Sequence, residues 1–307
     1  MRHRLAVALI AAVGAGAWFW FKPPAPPPGL PAELGAVVDI AHDAAWFGGL
    51  SGLEVTPGGS GFYAITDRGH ILRGSLTRQG QELLGARVER GQPFVDAQGQ
   101  TQEFPYSDAE GLALDATGGL YVSFEHAHRV LFYQTWESPA QQSGYTRAWR
   151  ALPENGGLEA LAVAPDGRLL ALPEKIARGA TEALIYERAP TATWMQNTTL
   201  PVDPMFSPVG ADFGPDGRLY VLERGVYPFA FFNRVRAMTL TPAGVTDIEL
   251  ILQTGLGDYG NLEGLSVWQD AEGLIRLTMV SDDNFLWFLP SQIVEYTLPD
   301  RVALAPQ

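Results

Sequence analysis

The 307-residue sequence contains no cysteine. That absence excludes disulfides, thiolate metal sites, a cysteine nucleophile and an acylated lipoprotein cysteine. Charge is sparse too, at 18% of residues, and bases are the scarcer sign: 21 Lys and Arg stand against 34 Asp and Glu, a formal charge of -13. Such a surface repels nucleic acid and bare polyphosphate and concentrates cations, so no nucleic-acid partner is expected. The usual catalytic signatures are missing. "GLSGL" around Ser51 lacks the final glycine of G-x-S-x-G, which removes the case for a nucleophile elbow. H-E-x-x-H, Walker A and EF-hand patterns do not occur.

What the chain does have is 34 Gly and 23 Pro among 46% hydrophobic residues. Many short strands joined by tight turns have that composition, and a helical bundle does not. At the N-terminus Arg2, His3 and Arg4 precede an apolar run from Leu5 to Phe21, followed by Lys22 and the Pro-rich "PPAPPPGLP". The order reads as an export signal and a stiff spacer. Ala15-Gly16-Ala17 offers a small-residue cleavage site, whereas "WFWF" beside Lys22 resembles an interfacial anchor. Residues 1–32 are therefore expected to be a signal peptide or membrane anchor plus linker. Residues 33–307 are expected to form one domain in the periplasm or outside the cell, monomeric, with residues 5–21 able to tether it to the inner membrane.

Beyond residue 33 the informative signal is repetition. "LSGLEV" (50–55), "AEGLAL" (109–114), "LEALAV" (158–163) and "LEGLSV" (262–267) share one frame, and "APDGRLLALPE" (164–174) matches "GPDGRLYVLER" (214–224), which brings "VGADF" (209–213) into it. The framing residues are Ser51, Glu110, Glu159, Val209 and Glu263, 59, 49, 50 and 54 residues apart. Such intervals suit a four-stranded blade. The expected fold is all-β: a propeller of five blades, or of six if the long first interval hides a degenerate one. The last copy is short, so "ELGAVVDIA" (33–41) is expected to supply its outer strand and close the ring.

Starts of first strands and ends of second strands share an edge in an antiparallel meander, so two acidic sets converge on one mouth of the central channel. The first holds Glu110, Glu159 and Glu263, with Ser51 and Val209 as departures and Glu54 and Asp212 three residues further on. The second is Asp67, Glu125, Glu174, Glu223, Asp282 and Asp283. Unrelieved, such a ring repels itself and is driven toward protonation. Calcium, with 6–8 oxygen ligands, is the natural remedy, held by Glu110, Glu159 and Glu263. The plainer alternative is that the acids accept backbone N–H groups or pair with bases, since Arg68, Lys175 and Arg224 directly follow three of the second set. His126 and His128 would share a strand face by period two and could join Glu125 on a transition metal, although surface or turn histidines are commoner.

"GGLSGLEV…FYAITDRG", "DAEGLAL", "GGLEALAVAPDGRL", "LYVLERG" and "NLEGLSV…MVSDDNF" resemble the bacterial phytase-like family, described as having esterase-like activity of phytase, over about residues 45–300. The resemblance implies a β-propeller and a metal-assisted ester or phosphoester hydrolase. A looser likeness to calcium-activated nucleotidases implies an axial Ca²⁺ near Ser51, Glu110, Glu159 and Glu263, with Val209 departing from the pattern and leaving a carbonyl or Asp212. As a hydrolase the chain would use Glu54 or Asp67 as base, and Arg68, Lys175, Arg224 or Arg234 to hold a small anionic ester. As a non-enzymatic binding propeller it would use the aromatic segments 226–234 and 284–290 for an unassigned ligand.

Overall fold

The structure, a computed structural model, describes residue 23 and residues 25–299 apart from 178, 229, 287 and 288. The apolar run from Leu5 to Phe21, read above as an export signal, lies outside the described residues, as do Phe229, Trp287 and Phe288 of the two aromatic segments. Among the described residues no helix is long and apolar enough to cross a membrane.

Each repeat begins with a hairpin whose turn the sequence dictates. Gly59, Gly118, Gly167, Gly217 and Gly273 each close a turn by donating their N–H to the carbonyl three residues back. All five have positive φ, between +71° and +87°, a left-handed conformation that penalises any side chain. The hairpins extend into five four-stranded antiparallel sheets. Blade one is Leu50–Val55, Gly61–Thr66, His70–Gln79 and Glu82–Pro93; blade two is Ala109–Leu114, Leu120–Phe124, Arg129–Tyr133 and Gln141–Gln142. Blade three runs through Leu158–Val163, Leu169–Pro173, Glu182–Arg188 and Met195–Pro201, and blade four through Ser207–Phe213, Leu219–Tyr227, Ala230–Thr241 and Gly244–Gln253. Blade five takes Asn261–Gln269, Ile275–Asp282 and Gln292–Leu298 from the end of the chain and Glu33–Asp39 from its beginning. That last strand pairs from Glu33 opposite Thr297 to Asp39 opposite Gln292, which closes the ring as expected. The long first interval holds no sixth blade. Its extra residues form the 12-residue outer strand Glu82–Pro93 and the connection to residue 108.

Apolar side chains fill the wedges between blades. Leu53, Phe62 and Leu72 of blade one meet Trp268, Val280 and Ile293 of blade five, while Ile65, Ile71 and Phe94 meet Leu112, Val122 and Phe124 of blade two. No single blade could bury these faces alone. Around the axis the inner strands come very close. A Cβ on Gly111 would lie 2.5 Å from the Glu159 carbonyl oxygen, and one on Gly264 2.7 Å from the Leu53 nitrogen. Only small residues fit there, which accounts for the small-Leu pair. The channel between the inner strands keeps about 10 Å³ of free volume.

Candidate metal centre at the channel mouth

Each framing residue falls on a break in strand register. The pairing slips between Leu50 and Gly52, Ala109 and Leu112, Leu158 and Ala160, Pro208 and Gly210, and Leu262 and Gly264. A bulge at the same place in five blades re-aims one side chain per blade. The five framing residues, Ser51, Glu110, Glu159, Val209 and Glu263, line the narrow channel together. Repetition therefore placed an acid on an axial bulge in three blades, with Ser51 and Val209 in the others. The Ser51 hydroxyl donates to the Ala109 carbonyl at 2.6 Å and so links blades one and two.

Carboxylates from both sets meet at this mouth. Donor atoms of Asp108, Glu110 and Glu125 lie within 4.8 Å of one another, an arrangement that could hold a metal ion. Burial holds the Glu110 carboxyl well above its usual range, and Glu159, Glu263, Asp108 and Glu125 add to the effect. Burial also pushes Asp108 up to about 6, with Glu125 adding and His126 opposing. Asp67 rises to about 7 through burial, then through Asp282 and Asp108; Asp282 rises to about 7 through burial and Glu263. Two groups lack a hydrogen bond among the described residues, although Glu159 feels the charge of Arg224. The buried Asp67 Oδ1 accepts no hydrogen bond. Glu159 is only 7% exposed, its carboxyl is raised by burial and then by Glu125, Glu174 and Glu263, and its side chain takes part in none of the hydrogen bonds among the described residues. Burying an unpaired carboxylate is costly, so these oxygens are suited to a cation.

One internal cation already sits among the acids. Arg224 donates to Glu263, to Asn261 Oδ1 at 2.7 Å and to Glu174 Oε1 at 2.5 Å. Burial lowers its basicity, but Glu263, Glu174 and Glu159 outweigh that and raise it. For Glu263 burial outweighs Arg224, and the carboxyl stays raised. Arg224 thus bridges blades three and five instead of pairing with the adjacent Glu223. Glu223 is wholly buried and held by Arg234 and Arg236 at 2.7 Å, the structural alternative anticipated for that set. Lys175 is bonded to Asn155. Of the four candidate anion-holding bases only Arg68 makes no side-chain hydrogen bond among the described residues; it is exposed and stacks 3.1 Å from the Phe285 ring centroid.

Glu54 and Asp212 stand apart from this group. Glu54 accepts from Leu114 N and Ser266 Oγ, and Asp212 from Val267 N and Phe213 N, at the opposite end of the channel beside the hairpin turns. Three residues further along a strand carry the chain about 10 Å down the axis. His126 and His128 occupy the turn after Leu120–Phe124, not a strand face. His126 Nε2 lies 3.1 Å from Asp108 Oδ2, and His128 Nε2 meets the Pro153 carbonyl at 2.8 Å. Asp108 was absent from the sequence-derived set because it precedes the frame. Its spacing of two from Glu110, in "DAEGL", is the signal that could have found it.

No match is found among curated proteins. Several solved structures overlap the chain remotely: a Dyadobacter fermentans protein of unknown function (11% identity, TM-score 0.47, 87% of this chain and 98% of that one), a candidate gluconolactonase (14%, 0.44, 91% and 95%) and U3-55K (10%, 0.42, 88% and 100%). None is close enough to bear on activity. The model of the phytase-like family, "esterase-like activity of phytase", matches residues 45–285. That span takes in every framing residue and the acidic mouth, and the chain belongs to the phytase-like family.

Proposed function

We propose that the chain is a metal-dependent hydrolase of esters or phosphoesters, working at the acidic mouth with calcium. The observation that carries this reading is the cluster of Asp108, Glu110 and Glu125, whose donor atoms lie within 4.8 Å of one another, with the buried Glu159, which makes no hydrogen bond among the described residues, lining the same channel as Glu110. Glu110, Glu159 and Glu263, with Asp108 and Glu125, would hold the ion. A donor set of carboxylate oxygens, without thiolates and with His126 already on Asp108, favours a hard cation over a transition metal. When bound, such an ion polarises an ester or phosphoryl oxygen and acidifies water.

The chain's own groups supply the rest. Asp67, with one free oxygen and a pKa held up to about 7, suits the role of proton acceptor. Arg68 presents a guanidinium at the rim for an anionic group. Arg224 keeps the surrounding acids in place as a positioning residue, and Glu54 and Asp212 tie the inner strands at the far end. We place the domain outside the cytoplasm, with a small anionic ester as partner, on the strength of residues 1–22 and the acidic composition.

A second reading, a non-enzymatic ligand-binding propeller, is favoured by exposed aromatics near the mouth: Phe104 is 70% and Tyr106 59% exposed, just before Asp108. A panel of phosphate and carboxyl esters, assayed with calcium and with chelator, separates the two. Calcium-dependent turnover is expected. Calcium binding with no turnover of any ester would leave the binding module as the better description. Cell fractionation tests the location, and full-length folded protein in the cytoplasm would contradict it.

A further inference from the structure

A cavity of about 480 Å³ lies where residues 174–181, which join the second and third strands of blade three, meet the end of the 3-10 turn Arg147–Ala151 and the two residues after it. Nine of its twelve lining residues are apolar, among them Leu152, Pro173, Ile176 and Leu184. The other three divide by place. Lys175 and Glu182 are exposed, so their charges stand at the rim. Tyr186 is only 2% exposed. Its hydroxyl makes no hydrogen bond among the described residues, and burial raises its pKa, so it stays neutral. A concavity of this volume, mainly apolar, with one or two polar groups to fix orientation, has the make-up of a small-ligand pocket. Its uncharged interior offers nothing to a wholly ionic ligand and favours a hydrocarbon group.

The cavity adjoins the candidate metal centre. Gly156 donates its N–H to Glu125 Oε1 of the carboxylate cluster. A Cβ on Gly156 would lie 2.5 Å from both Cγ and Cδ of Lys175, so the backbone of one residue separates the cluster from the lysine stem that lines the cavity. Gly156 has a φ of +87°, and a side chain there would be strained as well as crowded. The neighbouring contacts run the same way. Glu174, next to Lys175, accepts from Arg224 of the mouth, and Pro153 of the cavity wall meets His128 Nε2 at 2.8 Å. The Lys175 ammonium donates to the Asn155 carbonyl at 2.7 Å and to Asn155 Oδ1 at 2.8 Å. An ammonium has three hydrogens, so one is left for an anionic group at the boundary between mouth and cavity.

We propose that this cavity receives a hydrocarbon group of the ligand, so that the esters of the mouth are amphiphilic, with an anionic head beside the carboxylate cluster and Lys175 and an alkyl or acyl chain among Leu152, Ile176 and Leu184. Calling such ligands substrates rests on the hydrolase reading; the preference for a chain does not. The test uses the calcium-loaded full-length protein with methyl, propyl and hexyl phosphate, followed by calorimetric binding and by phosphate release. Each methylene buried strengthens binding by up to about fourfold, so hexyl phosphate is expected to bind at least about thirtyfold more tightly than methyl phosphate. Ala180→Trp puts a large ring into the cavity from a half-buried position outside the strands; it should bring hexyl phosphate down to the affinity of methyl phosphate. Should that variant fail to fold, Ala151→Trp makes the same test from the exposed opposite wall. Equal binding of the three probes, binding of none, or a chain-length preference that survives the substitution would overturn the subsite. A preference without phosphate release from any probe would uphold the subsite and count against phosphoester hydrolysis; release without a preference would do the reverse.

Discussion

Replacing Arg224 by Gln removes the cation that reaches three acids of two blades at once. The guanidinium side chain is 13% exposed and bonded to Glu174 and Glu263, with Glu159 within its electrostatic reach. Breaking a buried pair by removing one partner costs about 3–5 kcal/mol, a large part of a total stability of about 5–15 kcal/mol. For a domain of this size each kcal/mol moves the melting temperature by about 2–4 °C, so a fall of about 6–20 °C is expected at pH 7.5 in chelator. The pH dependence has a definite sign. Without Arg224 the carboxyl of Glu263, already raised by burial, rises further above its unfolded value. The deficit is then absent below the ordinary carboxylate range, near pH 4, and develops as pH rises through the raised value. On the proposed function calcium would supply positive charge at the same mouth and should shrink the deficit. Thermal unfolding of both proteins at pH 5 and 7.5, with chelator and with calcium, reads all three effects. A variant that melts within about 2 °C of wild type in chelator at pH 7.5 would refute the assignment of Arg224 as the counter-charge.

Glu223→Gln should destabilise the fold by about 3–5 kcal/mol, because it breaks the buried contacts with Arg234 and Arg236; its calcium affinity, measured by titration calorimetry, should equal wild type. Asp212 is raised by burial from 3.8 to about 7, so the folded state holds an extra proton between those values and loses stability as the group ionises. The stability of wild type minus that of Asp212→Asn should therefore fall from pH 4 to pH 8, on the order of a few kcal/mol in urea titrations, and a flat or rising difference would contradict it. Removing residues 1–39 deletes the strand Glu33–Asp39 and bares the edge Gln292–Leu298. An unpaired edge invites association, so size-exclusion chromatography should show aggregate in place of monomer.

The architecture was legible because its causes are local and repeated. Turn glycines and the small-Leu pair recur wherever a hairpin must close or inner strands must touch, and the missing strand of the last copy could be assigned to residues 33–41 by counting. The convergence of Glu110, Glu159 and Glu263 followed from antiparallel geometry alone. Bulges were not legible, since register depends on the partner strand, yet they aim these side chains at the axis. The partners of Arg224 were hidden for a related reason: its acids are 50 and 39 residues away on neighbouring blades, while the adjacent Glu223 points to Arg234 and Arg236. Glu54 and Asp212 share the spacing of the mouth residues in sequence, but strand rise carries them to the far end.

Calcium titration of exhaustively chelated protein, by calorimetry and by melting temperature, with Glu159→Gln beside wild type, tests the proposed metal centre most directly. Wild type should bind calcium and gain about 2.7 kcal/mol at a hundredfold excess over Kd, about 5–11 °C in melting temperature. Glu159→Gln, which removes the unbonded buried charge without changing its shape, should bind more weakly and gain less. A wild-type protein that takes up no calcium and melts at the same temperature with and without it would contradict the assignment and leave the acidic mouth as a hydrogen-bonded ring.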